Sequence, residues 1–304
     1  MREIKTLLKY MKGNKTIYLM GIIFVIFSEL FTVLSPLVIR TAIDFIIGDE
    51  EINSHLIANI IDLLGGKDFL RKNLWIIGII LIAAATLRGA FMFLKSYLSS
   101  KSAENTIKSL RDTVYDHIQR LPYKYHVKAD TGELVQRCTS DVETIRRFLA
   151  IQLVEVSGSI FMISFVLYVM FRLNVKLTLI SMVTLPILFS FAYVFFTKVQ
   201  KTFEEVDEAE ATISTVLQEK LTGIRVVKAF DRQKYEILKI DEKNKDYADK
   251  AYTLMKILAT YWGCADFICY IQIGLLLLFG SIWTIEGHIT IGTFVAFITY
   301  INML

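Results

Sequence analysis

The stretch LTLISMVTLPILFSFAYVFFT, residues 177–197, contains no charged side chain and shows no polar helical face. A helix of about 20 mostly apolar residues is long enough to cross the hydrocarbon core of a bilayer. In a soluble protein, such a helix would have to be buried on every side. We therefore interpret this stretch as a membrane span, with a soluble bundle of very apolar helices as the alternative.

Five further blocks of the 304-residue chain are similarly apolar, and 54% of all residues are hydrophobic. Each block carries at most a few charged side chains, and the last is still apolar where the chain stops at Leu304. The sequence therefore predicts an all-α membrane protein with six transmembrane helices. The spans are expected at about residues 16–47, 73–94, 148–171, 177–197, 257–285 and, cut short, 288–304.

Most of the Lys and Arg residues lie in the first fifteen positions and in two long polar connections, 95–147 and 198–256. Because Lys and Arg accumulate on the cytoplasmic side, the N-terminus and both connections are predicted to be cytoplasmic, in a multi-pass protein of the plasma membrane. Residues 1–12 place apolar side chains at helical spacing opposite lysines. This pattern predicts a short elbow helix in the inner interface, with a plain basic tail as the alternative.

The two polar connections are predicted to be helical hairpins that continue the spans into the cytoplasm. Structureless loops longer than about 12–15 residues are uncommon. Residues 203–221 carry mostly apolar side chains at alternating 3/4 spacing, which predicts a packing seam. The seam consists of Val206, Ala209, Ile213, Val216 and Lys220. At a rise of about 1.5 Å per residue, the hairpins should project roughly 30–40 Å beyond the bilayer.

Each hairpin is broken at its tip, the first by Pro122 and Gly132 and the second by Gly223. Between the first two breaks, aromatic side chains are mixed with basic ones. These residues are Tyr123, Lys124, Tyr125, His126 and Lys128. Aromatic and charged residues together at an exposed turn are typical of a protein interface. We therefore expect a partner to dock at the tip, with an ordinary solvated turn as the alternative.

Four segments of the chain resemble, in the expected order, the membrane domain of ABC exporters. HIQRLPYKYHVKADTGELVQRCTSDVETIRRF, residues 117–148, resembles the family's first intracellular loop, and LQEKLTGIRVVKAFDRQKYE, residues 217–236, resembles its second. SPLVIRTAIDFII, residues 35–47, is similar to the end of the first span, and GHITIGTFVAFITYINML, residues 287–304, to the last outer turn and sixth span.

Individual positions carry the resemblance in the two loops. The matching positions are Leu121, Pro122, Thr131, Gly132, Glu133, Leu134, Arg137 and Asp141 in the first loop, and Glu219, Gly223, Ile224, Val227, Lys228, Ala229 and Phe230 in the second. The chain departs from the family pattern at His126 and Val127, which stand where an aromatic residue and an acid are more usual.

The resemblance implies a six-helix exporter domain that is usually dimeric, with helices four and five swapped onto the partner half. It also implies that a short helix at each tip, about residues 122–130 and 228–236, sits in a groove of an ATP-binding domain. The coupling residues would be Tyr123, Lys124, Tyr125, His126, Lys128, Lys228, Phe230, Asp231 and Arg232. The chain would be the membrane-spanning half of an ATP-driven exporter, a homodimer or a heterodimer in contact with membrane lipid.

The catalytic step is expected outside this chain. The sequence has no GxxxxGK[ST] phosphate loop, the motif whose backbone amides hold nucleotide phosphates. We therefore expect no enzymatic activity and no cofactor in the chain, with ATP and Mg²⁺ on an ATPase domain of the same polypeptide or of a partner. Cys138, Cys264 and Cys269 lack metal-ligand spacing, which predicts free thiols and no metal. No nucleic-acid partner is expected.

Four charged residues lie deep in the predicted spans: Glu29, Arg88, Glu155 and Asp266. A charge at the bilayer centre costs at least about 2.5–3.5 kcal/mol, so such residues face a cavity or pair with one another. We expect some of them to line a substrate cavity, with structural pairs such as Arg88 with Glu29 or Glu155 as the alternative. Arg40 and Asp44, near the outer end, are interpreted as a weak interfacial pair.

The cargo expected from the many aromatic residues is apolar or amphipathic: a small molecule, a lipid or a peptide. Two other classes of protein were weighed. A secondary carrier predicts short cytoplasmic loops and broken helices near the midplane, and the long connections argue against it. A non-transporting scaffold whose stalk binds a cytosolic protein remains an alternative.

Overall fold

The computed structural model describes residues 10–11, 13–48, 50, 55–63 and 65–304. In this part of the chain the structure is helical, without strands. The α-helices are α1 (Lys15–Thr41), α2 (His55–Leu63), α3 (Lys67–Lys72), α4 (Trp75–Arg120), α5 (Tyr123–Lys128), α6 (Thr131–Gln136), α7 (Val142–Arg147), α8 (Leu153–Leu173), α9 (Val175–Met182), α10 (Thr184–Thr222), α11 (Ile224–Ala229), α12 (Gln233–Ile285) and α13 (Ile291–Ile301). Three π-helical segments, Ala42–Ile47, Arg137–Asp141 and Phe148–Gln152, continue or join these helices.

The predicted fold class is confirmed. Within the part of the chain that the structure describes, five helical stretches are long and apolar enough to cross a membrane, and α13 is a shorter apolar helix at the sixth position. The predicted elbow helix at 1–12 lies outside the described residues, apart from Tyr10 and Met11.

The long helices extend well past the length that a bilayer requires. α4 contains 46 residues and α12 contains 53, which correspond to about 69 Å and 80 Å at 1.5 Å per residue. α4 ends where Leu121 turns to extended backbone before Pro122, because a residue that precedes proline is disfavoured in the helical region. α10 ends at Gly223, whose N–H donates to the Glu219 carbonyl.

The chain divides into two compact units, residues 1–175 with 280–304, and residues 176–279. In the second unit, α10 packs along α12. The five residues of the predicted seam are the least exposed positions of the segment 203–221, and Val206 and Ala209 are buried. Farther along α12, Gln272 is buried and donates a hydrogen bond of 2.8 Å to the carbonyl of Ser181 in α9.

In the first unit, a buried cluster joins α1, α4 and the start of the third span. It consists of Met11, Tyr18, Val25, Ala103, Leu149 and Val154. Within it, the Tyr18 hydroxyl donates a 3.0 Å hydrogen bond to the Leu149 carbonyl, which belongs to the π-helical segment Phe148–Gln152. The cluster therefore fixes α1 against the point where the third span enters its long polar extension.

Replacing Tyr18 with phenylalanine should destabilise the first unit by about 1–3 kcal/mol, because the buried Leu149 carbonyl loses its side-chain donor while the ring still fills its site. Thermal unfolding in detergent measures the loss. Tyr168→Phe, at an exposed position of α8, is the matched control. Equal unfolding temperatures for the two variants would contradict this account of the cluster.

Candidate functional site

The first hairpin tip is a separate short helix, α5 (Tyr123–Lys128), set off from the long helices on both sides. Pro122 and Ala129 both have extended backbone, so α5 is continuous with neither α4 nor α6. The Asp130 side chain accepts a 2.8 Å hydrogen bond from the Gly132 N–H and caps α6. The geometry places a separate short helix at the end of the hairpin.

The side chains of α5 differ in exposure. Tyr123 is 83% exposed, and Val127 is exposed as well. Tyr125 is turned back toward the hairpin, where it lines a groove of about 500 Å³ with His117, Leu134 and Arg137. Lys124, His126 and Lys128 are exposed. An exposed apolar surface, formed by Tyr123 and Val127, is thus available at this tip.

Ion pairs brace the first hairpin behind its tip. Arg137 donates to Glu133 at 2.5 Å, one turn away on the same helix. Arg146 contacts Glu143 at 2.7 Å and reaches Glu104 of α4 at 3.1 Å, which joins the two arms of the hairpin. The hydrogen bonds from Arg146 lower the pKa of Glu143. The carboxylate therefore stays charged, and the brace intact, at neutral pH.

The second tip is α11 (Ile224–Ala229), which begins directly after Gly223. Ile224 and Val226 are exposed, and Phe230, just beyond the helix, is 73% exposed. Asp231 adopts φ 49°, a left-handed conformation that non-glycine residues seldom adopt. The chain reverses here into α12, which starts at Gln233.

The short helix of the second tip lies earlier in the sequence than predicted. The predicted tip covered 228–236, but residues 233–236 are the first turn of α12 and the separate helix lies earlier. Lys228 closes that helix, and Phe230, Asp231 and Arg232 form the turn that follows. Gly223, which the sequence already marks as a break, locates this helix, because α10 ends just before Gly223 and α11 begins just after it.

One ion pair closes the base of the second tip. Lys220 and Glu236 lie 3.0 Å apart, on α10 and α12 respectively, with both side chains largely shielded from solvent. The hydrogen bond that Lys220 donates to the Glu236 carboxylate raises the pKa of Lys220. The two tips are therefore built alike. Each is a short helix with exposed apolar side chains, and behind each tip an ion pair joins the two helical arms of the hairpin.

The four charged residues of the spans fall into different surroundings. Glu29 is half-buried beside Gly158 and within electrostatic range of Lys95 and Arg88. Glu155 is exposed in the first unit, and Asp266 is exposed in the second. Glu29 and Arg88 thus lie near each other, whereas no pairing of Glu155 with a base is found among the described residues. Whether these residues line a substrate cavity stays a prediction.

Arg40 and Asp44 form a pair, as expected, but the burial of Asp44 corrects the interpretation of that pair as weak and interfacial. Asp44 is only 3% exposed, and its carboxyl group accepts hydrogen bonds from the Thr290 hydroxyl at 2.5 Å and from the Gly292 N–H at 2.7 Å. Arg40 lies 3.4 Å from Asp44 and donates to Thr293 at 2.9 Å. This outer clamp joins the end of the first span to the first turn of α13.

Gly292 makes the outer clamp possible. A Cβ atom at this position would lie 2.6 Å from the Asp44 carboxyl carbon and 2.7 Å from the Arg40 carbonyl. Sequence reasoning missed Thr290, Gly292 and Thr293, because their partners are more than 240 positions away along the chain. Within the described residues, no group of three His, Cys, Asp or Glu side chains could hold a metal ion.

Comparison with known proteins gives a consistent result. A family model described as the ABC transporter transmembrane region matches residues 18–304. An uncharacterized ABC transporter ATP-binding protein of Bacillus subtilis is 27% identical over 304 residues, which cover 100% of this chain and 49% of that protein. A putative multidrug export ATP-binding/permease protein of Staphylococcus aureus is 28% identical over 307 residues, which cover 99% of this chain and 50% of that protein. The chain therefore spans about half the length of these curated relatives.

Proposed function

The chain belongs to the family of ABC transporter transmembrane regions, and on this premise we propose that it forms the membrane-spanning half of an ATP-driven exporter. It is a multi-pass membrane protein of five long apolar helices and a shorter sixth. In the proposal, two such halves enclose a cargo pathway, as a homodimer or a heterodimer in the plasma membrane, with the N-terminus in the cytoplasm.

The observation that carries the proposal is the construction of the two tips. α5 and α11 present Tyr123, Val127, Val226 and Phe230 to solvent at the ends of braced helical hairpins. Exposed aromatic side chains with few contacts of their own are the usual anchors of protein interfaces. We propose that an ATP-binding domain holds both tips, through the predicted coupling residues, and moves the long helices when it binds ATP.

Two further features support an exporter. The Staphylococcus aureus relative, of which this chain covers 50%, is named a putative multidrug export ATP-binding/permease protein. Long, unbroken helices such as α4 and α12 transmit a rigid-body displacement along their length. On this basis the cargo is an apolar or amphipathic molecule, and the ATPase domain, with ATP and Mg²⁺, is a partner of the chain.

Transport by the complete gene that encodes this chain tests the proposal. Inverted membrane vesicles containing the gene product should accumulate a fluorescent amphipathic dye when ATP is added, and vanadate should abolish the accumulation. Accumulation driven by a proton or sodium gradient without ATP would instead indicate a secondary carrier. Absence of transport under both conditions would indicate a scaffold.

A further inference from the structure

Asp266 is an acid in the membrane part of α12 for which the described residues of its own unit supply no balancing charge. Within its own unit it makes no hydrogen bond or ion pair with a described residue, and its side chain is exposed. A carboxylate in contact with hydrocarbon costs at least about 2.5–3.5 kcal/mol. The face of α12 that holds Asp266 is therefore expected to be turned away from lipid.

This face is also not the one that packs inside the second unit. The packed face of α12 is marked by the buried residues Leu254, Gln272 and Leu276. Asp266 precedes Gln272 by six positions, which places it about 120° around the helix from that face. Its carboxylate is thus available to a molecule that approaches α12 from outside the unit.

Two aromatic rings flank Asp266 on the same face. Trp262 lies one turn before it and Tyr270 one turn after it, and residues four apart are neighbours on a helix surface. Both rings are open, with exposures of 64% and 71%. A Cβ atom added at Gly263, between Trp262 and Asp266, would meet no atom within 4 Å. The three side chains form an open stripe about 12 Å long, which we call the α12 stripe.

The upper part of the α12 stripe is held in place by aromatic packing. Trp262 meets Tyr261 edge to face, with ring centroids 5.6 Å apart. Tyr261 in turn stacks on Phe191 of α10 at 5.8 Å and 7°. Because these contacts restrict the Trp262 ring, its side chain loses less conformational entropy when a molecule binds to it.

We propose that the α12 stripe of Trp262, Asp266 and Tyr270 binds an organic cation with an apolar body, as the cargo of the exporter. The proposal rests on the proposed function. The carboxylate supplies the opposite charge, and the two rings supply apolar area and cation–π attraction. An anion of the same shape is repelled by Asp266, so the stripe selects for positive charge.

Glu29 and Glu155, the other two acids that lie deep in the predicted spans, lack this combination. Glu155 has Ile151 and Ser159 at the positions four residues away, neither of them aromatic. Glu29 has the bases Lys95 and Arg88 within electrostatic range. Among the three acids, Asp266 alone combines an unbalanced carboxylate with two adjacent open rings.

Binding of tetraphenylphosphonium to the complete gene product in lipid nanodiscs tests the inference, with tetraphenylborate as the anion of matched shape. The dissociation constant of tetraphenylphosphonium should rise about tenfold or more in Asp266→Asn, and by about 3–10-fold in Trp262→Leu. Asp249→Asn, which removes the same charge from the polar part of α12, should leave it unchanged. Because removing a charge from a span lowers the cost of insertion, Asp266→Asn is expected to fold.

Three results would overturn the inference: equal affinity in Asp266→Asn and Asp249→Asn, equal binding of the borate and the phosphonium, or a change of oligomeric state in Asp266→Asn that shows pairing with a second copy. The proposed function fails separately. If the complete gene product transports the cation with ATP equally well in Asp266→Asn, only the inference is lost. If cation binding depends on Asp266 but ATP drives no transport, only the function is wrong.

Discussion

Replacing Asp44 with alanine should destabilise the protein by about 2–5 kcal/mol, since it removes one side of a buried, charged hydrogen-bond network. The Thr290 hydroxyl and the Gly292 N–H lose their acceptor, and Arg40 loses its ion pair. The first turn of α13 is then no longer tied to the first span. Chemical or thermal unfolding in detergent measures the change.

A control and a second variant make this prediction specific to the outer clamp. Glu286→Ala removes an exposed acid near the same end of α12 and should change stability by less than about 0.5 kcal/mol. Gly292→Ala should cost a similar amount to Asp44→Ala, because its Cβ atom collides with Asp44. Combining the two should cost less than their sum, since both break one contact. Full additivity, or an Asp44→Ala variant as stable as Glu286→Ala, would contradict the clamp.

Alanine at Tyr123 or Phe230 should reduce ATP-driven transport by about tenfold or more while the protein stays folded. Both side chains are exposed, so their removal should change the free energy of unfolding by less than about 0.5 kcal/mol. Aromatic anchors of an interface typically contribute about 2 kcal/mol or more to binding. The loss would therefore come from weaker contact with the ATP-binding domain.

Vesicle transport by the complete gene product measures this second effect, with unfolding temperature recorded in parallel. Tyr115→Ala is the matched control, since it removes an exposed tyrosine from the arm of the hairpin rather than from its tip. Normal transport in both tip variants would show that the ATP-binding domain does not depend on contact with these side chains. A parallel fall in unfolding temperature would assign them a structural role instead.

The parts of the fold that could be predicted from the sequence depend on local patterns. The charge-free stretch 177–197 predicted a membrane span, and alternating 3/4 spacing was sufficient to place the seam from Val206 to Lys220. Pro122 and Gly223 marked where long helices had to end, because each disfavours helix continuation. Such signals act over one or two helical turns, so a single sequence contains them in full.

The features that sequence reasoning missed depend on contacts between distant segments. Asp44 and Gly292 are 248 positions apart, and nothing next to Asp44 in the sequence distinguishes a buried clamp from a surface pair. The π-helical segment Phe148–Gln152 likewise has no breaker residue, and its contact with Tyr18 spans 131 positions. The spacing of Trp262, Asp266 and Tyr270 is visible in the sequence. Their exposure could not be predicted from it, because the sequence does not show which face of α12 is packed.

The distance between the first tips of two copies tests the central claim, that nucleotide moves the long helices through their tips. With the native cysteines replaced by serine, Cys138, Cys264 and Cys269 of this chain among them, a spin label at Lys128→Cys reports this distance by pulsed electron paramagnetic resonance on the complete gene product. The account predicts that the distance shortens when the protein is trapped with ATP and vanadate. An unchanged distance distribution in protein that hydrolyses ATP would contradict it.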